Sequence, residues 1–307
     1  MFIKNFNQMR EMVSSGKKRT VAVVCAHDEH ALEAVLQAHS EGLLDYVLIG
    51  KKDIIIEKGH MHKTDIPEDK IIDCDDDIKC ARIAIQMVKD GDVDFIQKGL
   101  IKTATLLREV VHPNTGLNVG RTISHLALLD TAKYHKIIGV TDGGIIIQPT
   151  LDQKKDIISN AVNAFLNLGY DKPKVACLCA IEYVNPKMPE TVDAEKLANM
   201  ATTGEIPDCY IAGPISMDLA CNSESATIKG YRHPVAGDVD ILLVPDITAG
   251  NIVVKAMTGF SNTLFAGCVL GAKCPIALNS RSSTFEEKYY GLIACSLMVD
   301  RENEEEL

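Results

Sequence analysis

Along nearly the whole chain, short runs of apolar and β-branched residues alternate with longer stretches whose apolar positions recur every three or four residues. The runs TVAVVCA, DYVLIG, DFIQ, KIIGVTD, KVACLCA, CYIAG, DILLVPD and PIALNS predict strands. Helical spacing occupies 30–40, 78–89, 103–111, 152–168, 190–202 and 252–260, and a last helix is expected over 284–302. Strands that alternate with helices form a largely parallel sheet, because parallel neighbours need a crossover of helical length. The expected fold is α/β.

Length adds a second expectation. A single hydrophobic core usually stops growing near ~250–300 residues. This chain has 307 residues, 46% of them apolar, so two three-layer α/β domains with a cleft between them are expected. The segment GGIIIQPT, 143–150, carries a glycine pair and a proline between two strand–helix series. It places the domains at 1–145 and 146–307, with the last helix free to pack back on the first.

Charge narrows the partners. A net charge of −10 and a pI near 5.4 remove the electrostatic footprint of a nucleic-acid or anionic-membrane binder. The start, MFIKNFNQMREMV, lacks the apolar core of a secretory signal, and the apolar stretch 266–278 is broken by Gly271, Lys273 and Pro275. A cytoplasmic protein is expected. No pair among the ten cysteines has CxxC spacing, so they read as buried thiols of a reducing compartment, with no metal site expected. The acidic end RENEEEL reads as a solvated tail.

Four strand-to-helix junctions carry candidate chemistry, since open α/β sheets bind ligands beyond the carboxyl ends of their strands. In QKGLIKTATLLREV, Lys98 and Gly99 follow a strand, Thr103 is placed to cap a helix and Arg108 lies within it. In NVGRTISH, Arg121, Thr122, Ser124 and His125 gather donors suited to a phosphate or an acyl carbonyl, although the apolar neighbours of His125 equally suit a core histidine. In LLVPDITAGN, Asp246 is either a ligand-facing carboxylate or a helix cap, and Gly250 and Asn251 open the next helix. In ALNSRSSTFEEK, Ser280, Arg281 and the caps Ser282, Ser283 and Thr284 converge on one small volume fit for phosphate. Glu286 and Glu287 then fall in the first helical turn as catalytic carboxylates or dipole partners.

Together with EYVNPKMPETVDA (182–194), GPISMDLACNSESATIKG (213–230) and PVAGDVDILLVPDITAGN (234–251), these segments resemble the phosphate acetyltransferase and butyryltransferase family, the butyryltransferases above all. The resemblance implies a fold like that of the isocitrate and isopropylmalate dehydrogenases, a homo-oligomer, and reversible transfer of a short acyl group, butyryl first, between coenzyme A and inorganic phosphate by direct attack. Coenzyme A is then a substrate, and no metal or redox cofactor is implied. Ser280 and Arg281 would sit at the reacting groups and Arg108 near coenzyme A. One departure stands out: butyryltransferases carry Ala-Asp-Ser after the Ser-Arg pair, whereas Ser282, Ser283 and Thr284 stand here. The acetyltransferases place an aspartate where Glu287 stands, which leaves the general base open between Glu286, Glu287 and a carboxylate elsewhere.

Two other classes compete. A metal- and NAD-dependent dehydrogenase would need converging aspartates, but Asp73, Asp75, Asp76 and Asp77 crowd into one polar run and no GxGxxG follows a strand. A catalytically silent acyl-CoA sensor would keep the binding residues and lose turnover, and the altered 282–284 segment keeps that reading in play.

Overall fold

The computed structural model describes residues 2–281 and 283–299, so Ser282 and the acidic tail lie outside the described residues. Two compact units emerge, each discontinuous in sequence. One, here the amino-proximal unit, comprises Phe6–Arg121 and the segment from Ala266 onward; the other, the central unit, comprises Thr122–Phe265 with the stretch ending at Asn5.

The amino-proximal unit runs α1 (Phe6–Ser15), β1 (Arg19–Val24), α2 (Glu29–Ser40), β2 (Leu44–Gly50), α3 (Lys52–Met61), β3 (Ile71–Asp73), α4 (Asp77–Asp90), β4 (Phe95–Lys98) and α5 (Thr103–Val110). The central unit holds β5 (Ser124–Thr131), β6 (Ile138–Thr141), α6 (Leu151–Asn167), β7 (Lys174–Leu178), α7 (Pro189–Thr202), β8 (Tyr210–Ile215), α8 (Met217–Cys221), α9 (Ser223–Ile228), β9 (Ile241–Leu243) and α10 (Ile247–Phe260). β10 (Thr263–Leu270), β11 (Ile276–Ala277) and α11 (Phe285–Met298) complete the chain.

In the amino-proximal unit the strand order is β3-β2-β1-β4-β11-β10, parallel except for the β10–β11 pair. α11 packs on α2 and α1, while α4 packs on α5 and on β1 and β2. Helix starts here follow side-chain chemistry. Asp28 accepts from the amide of Ala31 at the start of α2, and Asp76 from that of Lys79 at α4. α4 then stops at Gly91, whose φ of 81° is open to glycine at little cost. Three of the four aspartates in that run have structural roles: Asp73 ends β3 and accepts from the Lys52 amide, Asp76 caps α4 and Asp77 opens it.

In the central unit the order is β5-β6-β9-β7-β8, with only β5 antiparallel to its neighbour. One face of this sheet joins Ala127, Leu129, Val140 and Leu242 to Leu219, Ala220 and Ala226 of α8 and α9, with Val254 and Met257 of α10 packed alongside. On the other face Phe165 of α6 lies over Gly139, where a β-carbon would fall 3.0 Å from the ring. Gln153 and Thr150 close a reciprocal capping box at the start of α6.

Several elements exceed the sequence expectation. α1 buries Phe6, Met9 and Val13 on one face. β5 is built from SHLALLDT, whose leucines and alanine favour helix in isolation; two neighbouring faces of packing override that preference. β10, with Gly267 at its centre, gives no alternation to read. α10 starts at Ile247 rather than near residue 252, because Asp246 caps it there. Among the described residues no helix is long and apolar enough to cross a membrane.

Candidate active site

Register places the first group. β1 and β4 pair Val24 with Lys98, and β11 and β4 pair Ala277 with Gln97. The loops that follow all three strands therefore leave one edge of the amino-proximal sheet side by side, carrying Cys25–Asp28, Gly99–Lys102 and Leu278–Arg281. Gly99 is required at this approach: its amide donates to the Val24 carbonyl at 2.9 Å, and a β-carbon would lie 2.3 Å from the Cys25 carbonyl oxygen.

Lys98 is buried, and its Nζ donates to the Gly99 carbonyl at 3.2 Å. Burial pulls its pKa below the ordinary lysine value; the Asp28 carboxylate opposes that shift, and the charges of Lys288 and Arg281 reinforce it. Burial pushes Asp28 the other way, but hydrogen bonds from Lys288 and the Ala31 amide outweigh it and hold this carboxyl below its usual range.

Ser280 and Arg281 are exposed on a turn closed by a bond from the Ser283 amide to the Ser280 carbonyl, 3.1 Å. The turn is tied down on one side by Asn279, buried, whose Nδ2 donates to the Glu287 carbonyl at 3.1 Å. Gly291 leaves room for it, since a β-carbon there would meet Asn279 Oδ1 at 2.8 Å. Thr284 caps α11, and the Glu287 carboxylate accepts from the Thr284 amide at 3.2 Å while the Thr284 hydroxyl accepts from the Glu287 amide at 3.3 Å. Glu286 faces elsewhere, into a shallow hollow shared with Arg10, Glu41 and Tyr289.

Thr103 corrects the expected cap. It is the first helical residue of α5, and Lys102 occupies the cap position with no side-chain bond, because the backbone becomes helical one residue later than a Thr103 cap requires. Arg108 is exposed in the last turn of that helix, beside the buried Glu109 that pairs with Arg82 at 2.8 Å. Arg121 is exposed just after Gly120, at φ 80°.

The second group belongs to the central unit. β5 runs antiparallel to β6 with Leu126 opposite Thr141, so Thr122 and His125 enter the sheet where Asp142 and Gly143 leave it. Thr122 is committed to α6: its amide and hydroxyl both donate to Asp156, at 3.0 and 2.7 Å. His125 lies on β5 beneath Gly144 and stacks on Phe265, ring centres 6.2 Å apart. Asp246 acts as a cap, accepting from the Ala249 amide at 2.9 Å. Gly250 meets Gly143 so closely that a β-carbon would fall 2.6 Å from its Cα, and Asn251 is exposed one residue on. Asp142, buried, accepts from the amides of Gly144, Ile145 and Ile146 and folds the GGIIIQPT segment around itself.

Sequence reading passed over Asp28, Lys288 and Asp142. Asp28 carried a helix-cap signal, but nothing in sequence marks its bond to a lysine 260 residues away.

Comparison with known proteins follows the same lines. The model of the Phosphate acetyl/butaryl transferase family matches residues 77–295. A phosphate butyryltransferase of Clostridium acetobutylicum is 36% identical over 97% of this chain and 99% of its own, and a phosphate acetyltransferase of Thermotoga maritima is 36% identical over 95% and 98%. The crystal structure of a branched-chain phosphotransacylase from Enterococcus faecalis V583 covers 92% of this chain and 99% of its own, with a TM-score of 0.80 and 30% identity. With likeness of that extent over nearly its whole length, this chain belongs to the phosphate acetyl/butyryl transferase family and is a phosphate acyltransferase.

Proposed function

We propose that the chain exchanges a short acyl group, butyryl first, between coenzyme A and inorganic phosphate by direct attack with both substrates bound. The observation that carries this reading is the exposed Ser280–Arg281 turn, set beside the buried Lys98 at one edge of the amino-proximal sheet. A phosphate oxygen attacks the thioester carbonyl carbon, the new C–O bond forms as the C–S bond breaks, and coenzyme A leaves as a thiolate that takes up a proton. Charge gathers on the carbonyl oxygen in between, where the Ser280 hydroxyl donates to it; such a donor is worth about 10²–10³ in rate. Arg281 grips phosphate through its planar fork, and Lys98 adds charge behind it. Arg108 contacts the phosphates of coenzyme A.

In the reverse direction the coenzyme A thiol must lose its proton, and thiols titrate near ~8.5, so a carboxylate base assists. Glu287 is the leading candidate; the Thr284 amide engages its Oε2, which leaves Oε1 to take the proton. No metal or redox cofactor enters the scheme. The butyryl preference rests on the segments 182–194, 213–230 and 234–251, since the two relatives named above are equally identical to this chain.

The test is phosphate-dependent release of free thiol from acetyl-, propionyl-, butyryl- and isobutyryl-CoA. Turnover fastest with butyryl-CoA supports the full reading, and an acetyl optimum overturns the chain-length assignment alone. Each methylene contributes about 1–3 kcal/mol of discrimination, so the ranking is measurable. Acyl-CoA binding without turnover in any case points to a sensor. Arg281→Ala is expected to raise the phosphate KM and lower kcat with the fold intact; unchanged kinetics would remove Arg281 from the site.

A further inference from the structure

Three ionisable side chains are carried indoors at the site: Asp28 is 8% exposed, Lys98 6% and Lys288 4%. They come from the loop after β1, the end of β4 and the second turn of α11. One oxygen, Asp28 Oδ1, accepts both from the Ala31 amide at 2.8 Å and from Lys288 Nζ at 2.5 Å. It therefore starts α2 and anchors α11 together. α11 is also the helix that follows the Ser280–Arg281 turn, and Asn279 grips it one residue before Lys288.

Charge does not balance here. Lys98 is acted on by one carboxylate, Asp28, and by two further cations, Lys288 and Arg281. A buried ion pair is often no more stable than well-packed apolar groups, so its presence calls for a role beyond stability. Surplus positive charge beside an exposed arginine suits a small dianion.

We propose that Asp28 and Lys288 are positioning residues for phosphate: their bond locks α11 to the start of α2, so that the Ser280–Arg281 turn and the Lys98 ammonium present one cationic face. The inference rests on the transfer reading only for the identity of the anion.

Burial acts most strongly on when Lys98 is charged, and the pair acts on top of it. Lys98 is faced by Cys25 and Asp28 from the β1–α2 loop, by Lys288 from α11 and by Arg281 from the turn before it. Its charged form exists below its pKa and is lost as pH rises through it. Asp28 raises that pKa, and Lys288 lowers it. Asp28→Asn keeps a competent cap but removes the charge, so the alkaline loss of phosphate affinity moves to lower pH. Lys288→Met removes the opposing charge, so the loss moves to higher pH. A purely structural role weakens both variants without moving their alkaline limbs in opposite directions.

The experiment is calorimetric titration of the full chain with inorganic phosphate from neutral to strongly alkaline pH, for wild type, D28N, K288M and K288R. Opposite shifts in D28N and K288M, with the wild-type limb restored in K288R, support the inference. Shifts in one direction, no shift, or no phosphate binding by the wild type overturn it. Where a single variant does not fold, the double variant D28N/K288M, which removes both charges of the pair, decides: weakened phosphate binding at an unchanged melting temperature supports the pair, and wild-type affinity, or a loss that follows lowered stability, overturns it. Opposite shifts without acyl transfer from any acyl-CoA sink the transfer reading and leave the positioning pair standing.

Discussion

Glu287 answers to two demands. Its carboxylate completes the box that starts α11, yet it also occupies the place where the resemblance puts a catalytic acid. Glutamine at this position keeps the box and cannot take a proton. Glu287→Gln is therefore expected to leave the melting temperature near that of wild type while lowering turnover by about 10²–10⁴ if this carboxylate is the base. Thr284→Ala does the reverse: about 1 kcal/mol of stability is lost in denaturant unfolding, with a smaller effect on chemistry. Full activity in E287Q would move the base elsewhere, with Glu286→Gln as the next variant. The sheet-edge position of Lys98, Ser280 and Arg281 was legible in the sequence because each ends or follows a readable strand. The Asp28–Lys288 bond was not, because a contact across 260 residues leaves no local pattern.

Among the elements, the strand-to-helix turn after β4 is tightly constrained. Gly99 passes so near the Cys25 carbonyl that any side chain must push the loop off the sheet edge. Gly99→Ala is expected to cost about 1–3 kcal/mol in denaturant unfolding, the range for overpacking, and to impair phosphate binding in the folded fraction. An unchanged midpoint and affinity would show that the loop can yield. Helices with capped ends were read from the sequence to within a residue or two, as with α2, α4 and α6, because caps and apolar spacing agree there. β5 was missed because its leucines and alanine do not prefer strand, and β10 because Gly267 and its apolar neighbours give no alternation to read.

At the scale of the molecule, the sheet of the amino-proximal unit is completed by residues far along the chain. β11, from Ile276–Ala277, lies between β4 and β10, and no periodicity announces that order. Several carboxyls in both units are held below their usual range. Asp45 is held by Lys70, and Asp238 by Lys136 and Lys174, in each case against the opposing effect of burial. Groups of this kind lend stability above their unfolded pKa, near ~3.9 for aspartate, and lose it as pH falls through the folded value. Unfolding free energy is thus expected to hold from neutral pH down to about 5 and to fall steeply below about 4. A flat profile into strong acid would show that these pairs carry no differential charge. Lys136→Met removes the ion-pair partner of the buried Asp240, 2.6 Å away, and is expected to cost about 3–5 kcal/mol.

All ten cysteines are free thiols, and only Cys179 and Cys221 are more than slightly exposed. Burial pushes both of these up to about 11, so little thiolate is present at neutral pH. A chromogenic thiol reagent added during turnover then counts coenzyme A over a nearly silent protein background. The same reagent added to a warming sample gains a burst of signal as the hidden sulfurs emerge, so one cuvette can time both the reaction and the death of its catalyst.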